Sequence, residues 1–424
     1  MIRKTALLLL LCGLALAPVP GTTVAQQRQG HVEFKVVWEK EFDKEIKDVV
    51  FGETDDGSLY PKVIVFDYEV RYYDTDGSEL WTLPYVRGFP PAVSRTGRYV
   101  GMVRSLSEAE EERGSREAVW GLYDDMGREI TTVSYVWAYE ASSRHFFISE
   151  EDGAFLEADA GSQKLVFRSS DGDVAREVDL FEADRWGGPN SLICAFSEDG
   201  EYLAALREEL PPGSRGEVDR STHLVLLHRE GAELWRRALG GWMAISVSLS
   251  SRARFVAANS WVPSGPMRAP VRMEVKLFNV EGELVGTYAA RSQEFSRDEN
   301  YMALAGENDV SLLTTLTGEL LWTVKLPYET GPRGREWRLV TDVDLTSDAS
   351  IVVIVSTACE WTDNDFRRFR PIVVLFGRDG TVLARQELVG TSGEGGPKVT
   401  IGSNGEQVCV TGDTWIIGLD LDGG

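Results

Sequence analysis

The chain has 424 residues, 67 of them acidic and 44 basic, for a formal net charge of −23. A surface of that sign repels phosphate backbones, so no nucleic-acid partner is expected; its plain consequence is solubility. The length would hold two or three ordinary domains, but internal repeats argue for one large domain.

The N-terminus reads as a signal peptide over residues 1–25: Arg3 and Lys4, an apolar core from Ala6 to Ala17, then Thr23-Val24-Ala25 before Gln26. Pro18 argues against cleavage after Ala17, so cleavage is expected after Ala25. Cys12 follows Leu11 and not a small residue, which argues against a lipoprotein signal. Loss of Arg3 and Lys4 takes the formal charge from −23 to −25. No later stretch approaches the ~20 uninterrupted apolar residues of a membrane span. Residues 26–424 are therefore expected to be one exported domain with no transmembrane segment, periplasmic or extracellular in a bacterium.

From Ser94 onward a short turn recurs, opened by a small residue with an aromatic or aliphatic residue five positions later in every copy but the last, which has Gln407 there. Its copies are SRTGRYV (94–100), ASSRHFF (141–147), SEDGEYL (197–203), SSRARFV (250–256), SRDENYM (296–302), TSDASIV (346–352) and GSNGEQV (402–408). A second turn ends in glycine between apolar runs: Gly77, Gly127, Gly172, Gly231, Gly282, Gly318 and Gly380. Glycine supplies the positive φ that a tight hairpin needs. Flanking runs such as VKLFNV (275–280) are short and β-branched, hence strands. The fourth strand of several copies carries Leu-Trp, at Trp81, Trp235 and Trp322.

The repeats divide into seven four-stranded copies at about 46–84, 91–136, 137–180, 191–240, 243–290, 293–328 and 339–389, the first without a clean opening turn. The C-terminus supplies three strands more and stops. The missing fourth is VEFKVVWEKEF (32–42), where Trp38 falls at the level of Trp81, Trp235 and Trp322. Pairing the N-terminal strand with the C-terminal three closes a ring and removes two open sheet edges. The expected fold is all-β, an eight-bladed β-propeller closed in this way.

These phrases resemble two propeller repeat families. The Leu-Trp strands are similar to pyrroloquinoline-quinone-type repeats, and FSEDGEYLA (196–204) resembles the WD-like repeats of periplasmic propellers. The resemblance implies packing, not chemistry. Quinoprotein dehydrogenases of the first type carry a vicinal cysteine pair and a channel calcium. Cys194, Cys359 and Cys409 are isolated here, so the pattern resembles non-catalytic members, such as the eight-bladed scaffold of outer-membrane protein assembly. An odd number of thiols leaves at least one unpaired. Repeat alignment places Cys194 on a first strand, Cys409 mid second strand and Cys359 past the end of a second strand, too far apart for a disulfide; free, mostly buried thiols are expected.

In a four-stranded antiparallel blade, first-to-second and third-to-fourth turns share one face. Second-to-third loops and interblade links share the other. The latter loops are long: 104–117, 207–222, 260–272 and 357–371. Loops of such length are usually functional or disordered. They hold Trp261, Trp361, Phe366 and Phe369, and the interblade links hold Trp186, Trp242 and Trp337. Buried aromatics and arginines make good anchors, so these seven residues are the candidate ligand-binding rim; the alternative for the link tryptophans is wedging between blades.

Motifs for chemistry are absent. His31, His145, His223 and His228 form no metal-ligand pair, and no distal Glu completes a calcium loop after the Asp-Gly turns, so no metal is expected. No G-x-S-x-G elbow and no cofactor signature occurs, so no cofactor is expected. First-strand carboxylates such as Glu140 and Asp344 would line a central channel. The expectation is a monomeric exported scaffold that binds a cell-envelope protein segment or glycan on the long-loop face, without assigned catalysis. The alternative is a polysaccharide-active enzyme, a glycosidase or lyase, with a carboxylate site in the channel.

Overall fold

The computed structural model describes residues 34–54, 57–87, 89–104, 116–137, 144–159, 164–179, 192–209, 221–239, 243–263, 271–326, 337–362, 365–389, 391–392 and 396–421. The expected signal peptide and its cleavage site, with Cys12 and His31, lie outside them. The described strands form eight antiparallel sheets arranged as blades of a β-propeller. Blades 1 to 7 each use four consecutive strands, from Ile46–Glu53 at the start of blade 1 to Val382–Glu387 at the end of blade 7. Blade 8 takes Lys398–Ile401, Gln407–Thr411 and Trp415–Leu421, with Phe34–Glu41 as its fourth strand.

The closing strand has the register of an ordinary fourth strand. Phe34 pairs with Leu421 and Trp38 with Gly418, and Val37 bulges out between Val36 and Trp38. Every other fourth strand bulges at the same level, at Leu80, Ile130, Ala175, Leu234, Val285, Leu321 and Leu383. A bulge increases local twist and interrupts the regular edge of a strand. Its presence on all eight outer strands keeps the rim of the ring from offering a flat template for pairing.

The two repeated turns have local causes. In the first, the hydroxyl that opens the phrase accepts the N–H of the residue five positions on, at 3.0 Å for Ser94 and Tyr99, 3.0 Å for Ser197 and Tyr202, and 3.1 Å for Ser250 and Phe255. Blade 1 uses a shorter version, in which the Thr54 N–H donates to the Ser58 carbonyl. In the second turn, glycine at positive φ lies under the fourth-strand aromatic of the preceding blade. The indole N–H of Trp81 donates to Asp125 O at 3.0 Å, that of Trp235 to Val280 O at 2.8 Å and that of Trp322 to Arg378 O at 2.7 Å. Beneath these rings are Gly127, Gly282 and Gly380, where a Cβ would come within 2.9, 2.7 and 2.9 Å of the indole. Tyr288 fills the role over Gly318, its hydroxyl donating to Gly318 O at 2.8 Å. The Leu-Trp phrase is thus an interblade lock.

Second strands are buried on both faces. Tyr99–Val103 and Gln407–Thr411 are buried at every position. Small residues (Ala204, Ala205, Ala257, Ala258, Ala303 and Ala305) recur there, all wholly buried. Neighbouring sheets converge toward the axis of a propeller, and small side chains relieve that crowding.

Three features differ from the sequence reading. The opening turn of blade 3 is not ASSRHFF. Arg144–Ile148 is the first strand, and the turn is Ser149 to Ala154, closed by the Ser149 N–H donating to Ala154 O at 2.8 Å. Two of the long loops are largely strand. In blade 7, Ile351–Thr362 pairs with Asp365–Gly377 through Glu360 opposite Arg367 and Thr362 opposite Asp365; in blade 5, Phe255–Pro263 pairs with Val271–Asn279. Cys359 therefore lies inside its second strand. Cys194, Cys359 and Cys409 are buried and form no disulfide, as expected, and burial pushes the Cys194 and Cys409 thiols up.

Candidate functional site

First strands line the axis and end at the opening turns, so each copy of that turn presents its second residue to the channel mouth. The series reads Arg95, Glu150, Glu198, Ser251, Arg297, Ser347 and Ser403. All but Ser251 line a cavity of about 600 Å³ at this end of the channel. Across its mouth, Arg95 of blade 2 pairs with Glu198 of blade 4, and Arg297 of blade 6 approaches the same carboxylate at 4.0 Å. Three alternate blades therefore meet over the axis. The two arginines remain open to water, with side chains 58% and 65% exposed, against 25% for Glu198.

The other mouth carboxylates stitch neighbouring turns. Glu150 of blade 3 accepts the Thr96 N–H of blade 2 at 2.9 Å and also the Thr96 hydroxyl. Glu53 of blade 1 accepts the Ser403 N–H of blade 8 at 2.9 Å. Just outside the cavity, Glu299 of blade 6 accepts the Ser250 hydroxyl and the Arg252 N–H of blade 5, both at 2.6 Å. An ionised carboxylate makes a strong acceptor for such amides. In each case an acid of one blade caps the turn of the blade before it, blade 8 preceding blade 1 around the ring.

Deeper in the channel lie Glu294 on the first strand of blade 6 (Ser292–Phe295) and Asp342 and Asp344 on that of blade 7 (Trp337–Leu345). Asp342 Oδ2 accepts Val399 N–H at 3.0 Å and Asp344 Oδ2 accepts Ile401 N–H at 2.9 Å, fastening blade 7 to blade 8; Asp344 Oδ1 also accepts Leu345 N–H at 2.8 Å. Glu294 has the Phe295 amide and, among the described residues, no side-chain donor. All three keep some surface open to the channel yet are ringed by protein. Burial, reinforced by the Asp344 charge and opposed by Arg95, pushes Glu294 up to about 8. Burial holds Asp342 and Asp344 at about 6, against the amides that favour their charged forms.

Of the two channel carboxylates named from sequence, Asp344 lines this cavity, and Glu140 lies outside the described residues. The cluster of Arg95, Glu198, Arg297, Glu294 and Asp342 was missed. Its signal is present in the repeats: the residue after each opening turn residue reaches the mouth, and the residue two before it reaches the channel, at Glu294 and Asp344.

On the opposite face, Trp261 is half-buried on the second strand of blade 5, with Met243 and Met273 as its Cα partners. Backbone register gathers four more of the rim residues into blade 7. Trp337 pairs with Cys359, Trp361 with Phe366, and Phe369 with Ala358 on one side and Thr391 on the other. Trp186 and Trp242 lie outside the described residues. Between the two tall blades stands a low one: the middle strands of blade 6 are only Tyr301–Ala305 and Asp309–Thr314. Among the described residues there is no group of three or more candidate metal ligands and no helix long and apolar enough to cross a membrane.

Comparison with known proteins agrees on architecture. The C-terminal WD40 domain of Sif2 superposes with a TM-score of 0.54 at 8% identity, covering 93% of this chain and 99% of that one. The Dos1 propeller gives 0.54 at 9% identity, covering 92% and 96%. The chain has an eight-bladed β-propeller fold similar to that of these domains. At such identity the likeness concerns the fold alone. No protein-family model matches the sequence, and no curated protein does.

Proposed function

We propose that the protein is an exported binding scaffold that captures a protein segment or glycan of the cell envelope on its long-loop face. The observation that carries this reading is the blade 7 hairpin, whose strands run 12 and 13 residues where the equivalent strands of blade 6 run 5 and 6. A scaffold that only closes a ring needs no such extension. With Trp261 on blade 5 and Trp337, Trp361, Phe366 and Phe369 on blade 7, the extensions stand as two aromatic-bearing walls over low blade 6. Aromatic side chains contribute large contact area at small entropic cost.

The test is a W261A/W361A double variant compared with wild type for capture of cell-envelope protein and for glycan-array binding, with thermal unfolding as the control for folding. Loss of a ligand that wild type retains, at unchanged Tm, is the expected result; identical profiles count against the rim. Export is tested by fractionation, with Gln26 expected as the mature N-terminus. A single peak of monomer mass in light scattering is the matching expectation for the oligomeric state.

The polysaccharide-active alternative draws on Glu294 and Asp344. A glycosidase needs two carboxylates free to act at the scissile bond, and both oxygens of Asp344 already accept backbone amides. Glu294 alone supplies one acid, which favours the scaffold reading.

A further inference from the structure

We propose that the central cavity is a binding site for a small organic cation bearing a primary ammonium group, such as an alkyl diamine or a lysine side chain, with Glu294 as its counter-ion. The site lies on the face opposite the long loops and is independent of the rim.

Most charges around the cavity already have partners, and Lys62, which also lines it, lies over the Tyr72 ring. Glu53 and Glu150 hold the turns of neighbouring blades, Glu198 holds Arg95, and Asp342 and Asp344 hold backbone amides of blade 8. Glu294 lines the same cavity and, among the described residues, receives only the amide of its own neighbour. It faces Asp344 and Asp342 from blade 7 and Arg95 from blade 2, and shares the cavity with Glu53 and Lys62 of blade 1, Glu150 of blade 3, Glu198 of blade 4 and Arg297 of blade 6. Arg95 acts on it through space and makes its hydrogen bond to Glu198 instead. An ionisable acid held neutral for want of a counter-charge is a place where an incoming cation gains most.

The chemistry of the guest follows from the walls. Glu294 and the remaining lone pairs of Asp344 accept hydrogen bonds, Ser347 and Thr400 line the same space, and the five carboxylates of the cavity outnumber its three cations, Lys62, Arg95 and Arg297. An ammonium group brings three donors and no acceptor, which matches acceptor-rich walls. A cavity of about 600 Å³ admits a short alkyl ammonium with room for water. A divalent metal would require more converging free ligands than the described residues provide. The net charge of −23 favours arrival of cations. The Arg95–Glu198 pair spans the mouth but is exposed, and exposed pairs are weak enough to swing aside.

Binding must move a proton: Glu294 is neutral in the free protein at neutral pH and ionised beside the ammonium, so one proton leaves to solvent. The experiment is calorimetric titration of the full mature chain with 1,4-diaminobutane between pH 6 and 8, in two buffers of different ionisation heat. The expected result is release of about one proton at pH 6, falling toward one half at pH 8, with an affinity that rises nearly tenfold from pH 6 to 7 and less steeply from 7 to 8. E294Q should bind at least about tenfold more weakly and lose the pH dependence, while R95Q, which removes a like charge, should bind more tightly. W261A/W361A should bind the diamine as wild type does, so failure of the rim leaves this site standing. Absent diamine binding, binding unaffected by pH or by E294Q, weaker binding by R95Q, or equal binding of glucose or butyrate would each overturn the proposal.

Discussion

A glycine at positive φ carries two separable burdens here. Gly282 must adopt a backbone conformation that disfavours any Cβ, and it must also leave room for the Trp235 indole. Gly77 has the first burden alone, since nothing lies within 4 Å of where its Cβ would be. Alanine at Gly77 is therefore expected to cost about 1–2 kcal/mol, and alanine at Gly282 roughly 2–4 kcal/mol, in urea unfolding. Equal losses would mean that the indole lock contributes nothing. Glu294 gives a second residue-scale expectation. Its folded pKa lies near 8, above the ordinary 4.5, so the folded state holds its proton more tightly than the unfolded chain. That difference makes the fold lose stability as pH rises from 4.5 through 8. E294Q should accordingly match wild type in Tm at pH 4, exceed it increasingly up to pH 8, and hold a constant advantage above. A Tm difference independent of pH would contradict the placement of this carboxyl in the channel.

At the scale of strands and turns, the hydroxyl-capped turn and the Trp–Gly lock are local backbone requirements, which is why repeats are legible in the sequence. The opening turns of blades 2, 4, 5, 6 and 7 could be read directly, because a Ser or Thr five residues before an aromatic or aliphatic satisfies one hydrogen-bonding pattern. Blade 3 misleads for the same reason. ASSRHFF imitates that spacing by chance, while the real turn from Ser149 has the usual length but sets its glycine one position later, at Gly153, and ends on Ala154 where the other copies carry a larger side chain. The blade 7 hairpin was hidden by its own composition: Asp365, Arg367 and Arg368 look like loop residues, yet they pair in register with Thr362, Glu360 and Cys359. Removing Phe34–Glu41 tests the closing element itself. The third strand of blade 8, Trp415–Leu421, would lose its partner and expose an open edge. Light scattering should then show oligomers or aggregates that are absent from the chain with Phe34–Glu41 intact; an unchanged profile would mean that the N-terminal strand is dispensable.

At the scale of the whole molecule, the channel site could not be read from neighbouring residues. Arg95, Glu198 and Arg297 come from alternate blades and meet only because eight copies close into a ring. Asp342 and Asp344 reach blade 8, and Glu53 reaches blade 8 from blade 1, so the junction that joins the two ends of the chain is also where carboxylates concentrate. Both proposed surfaces depend on that closure. The walls of blades 5 and 7 need blade 6 held between them, and the cavity needs blade 8 to complete its wall.

Closure is tested most directly by a cysteine pair at Lys35 and Asp420, which are Cα partners across the junction. Under mild oxidation the double variant K35C/D420C should form an intramolecular disulfide, with both introduced thiols lost to labelling and Tm raised over the reduced form. If both thiols stay free to react in the folded protein, or if the bridge forms only between molecules, the N-terminal strand does not complete blade 8 and the ring is not closed as described.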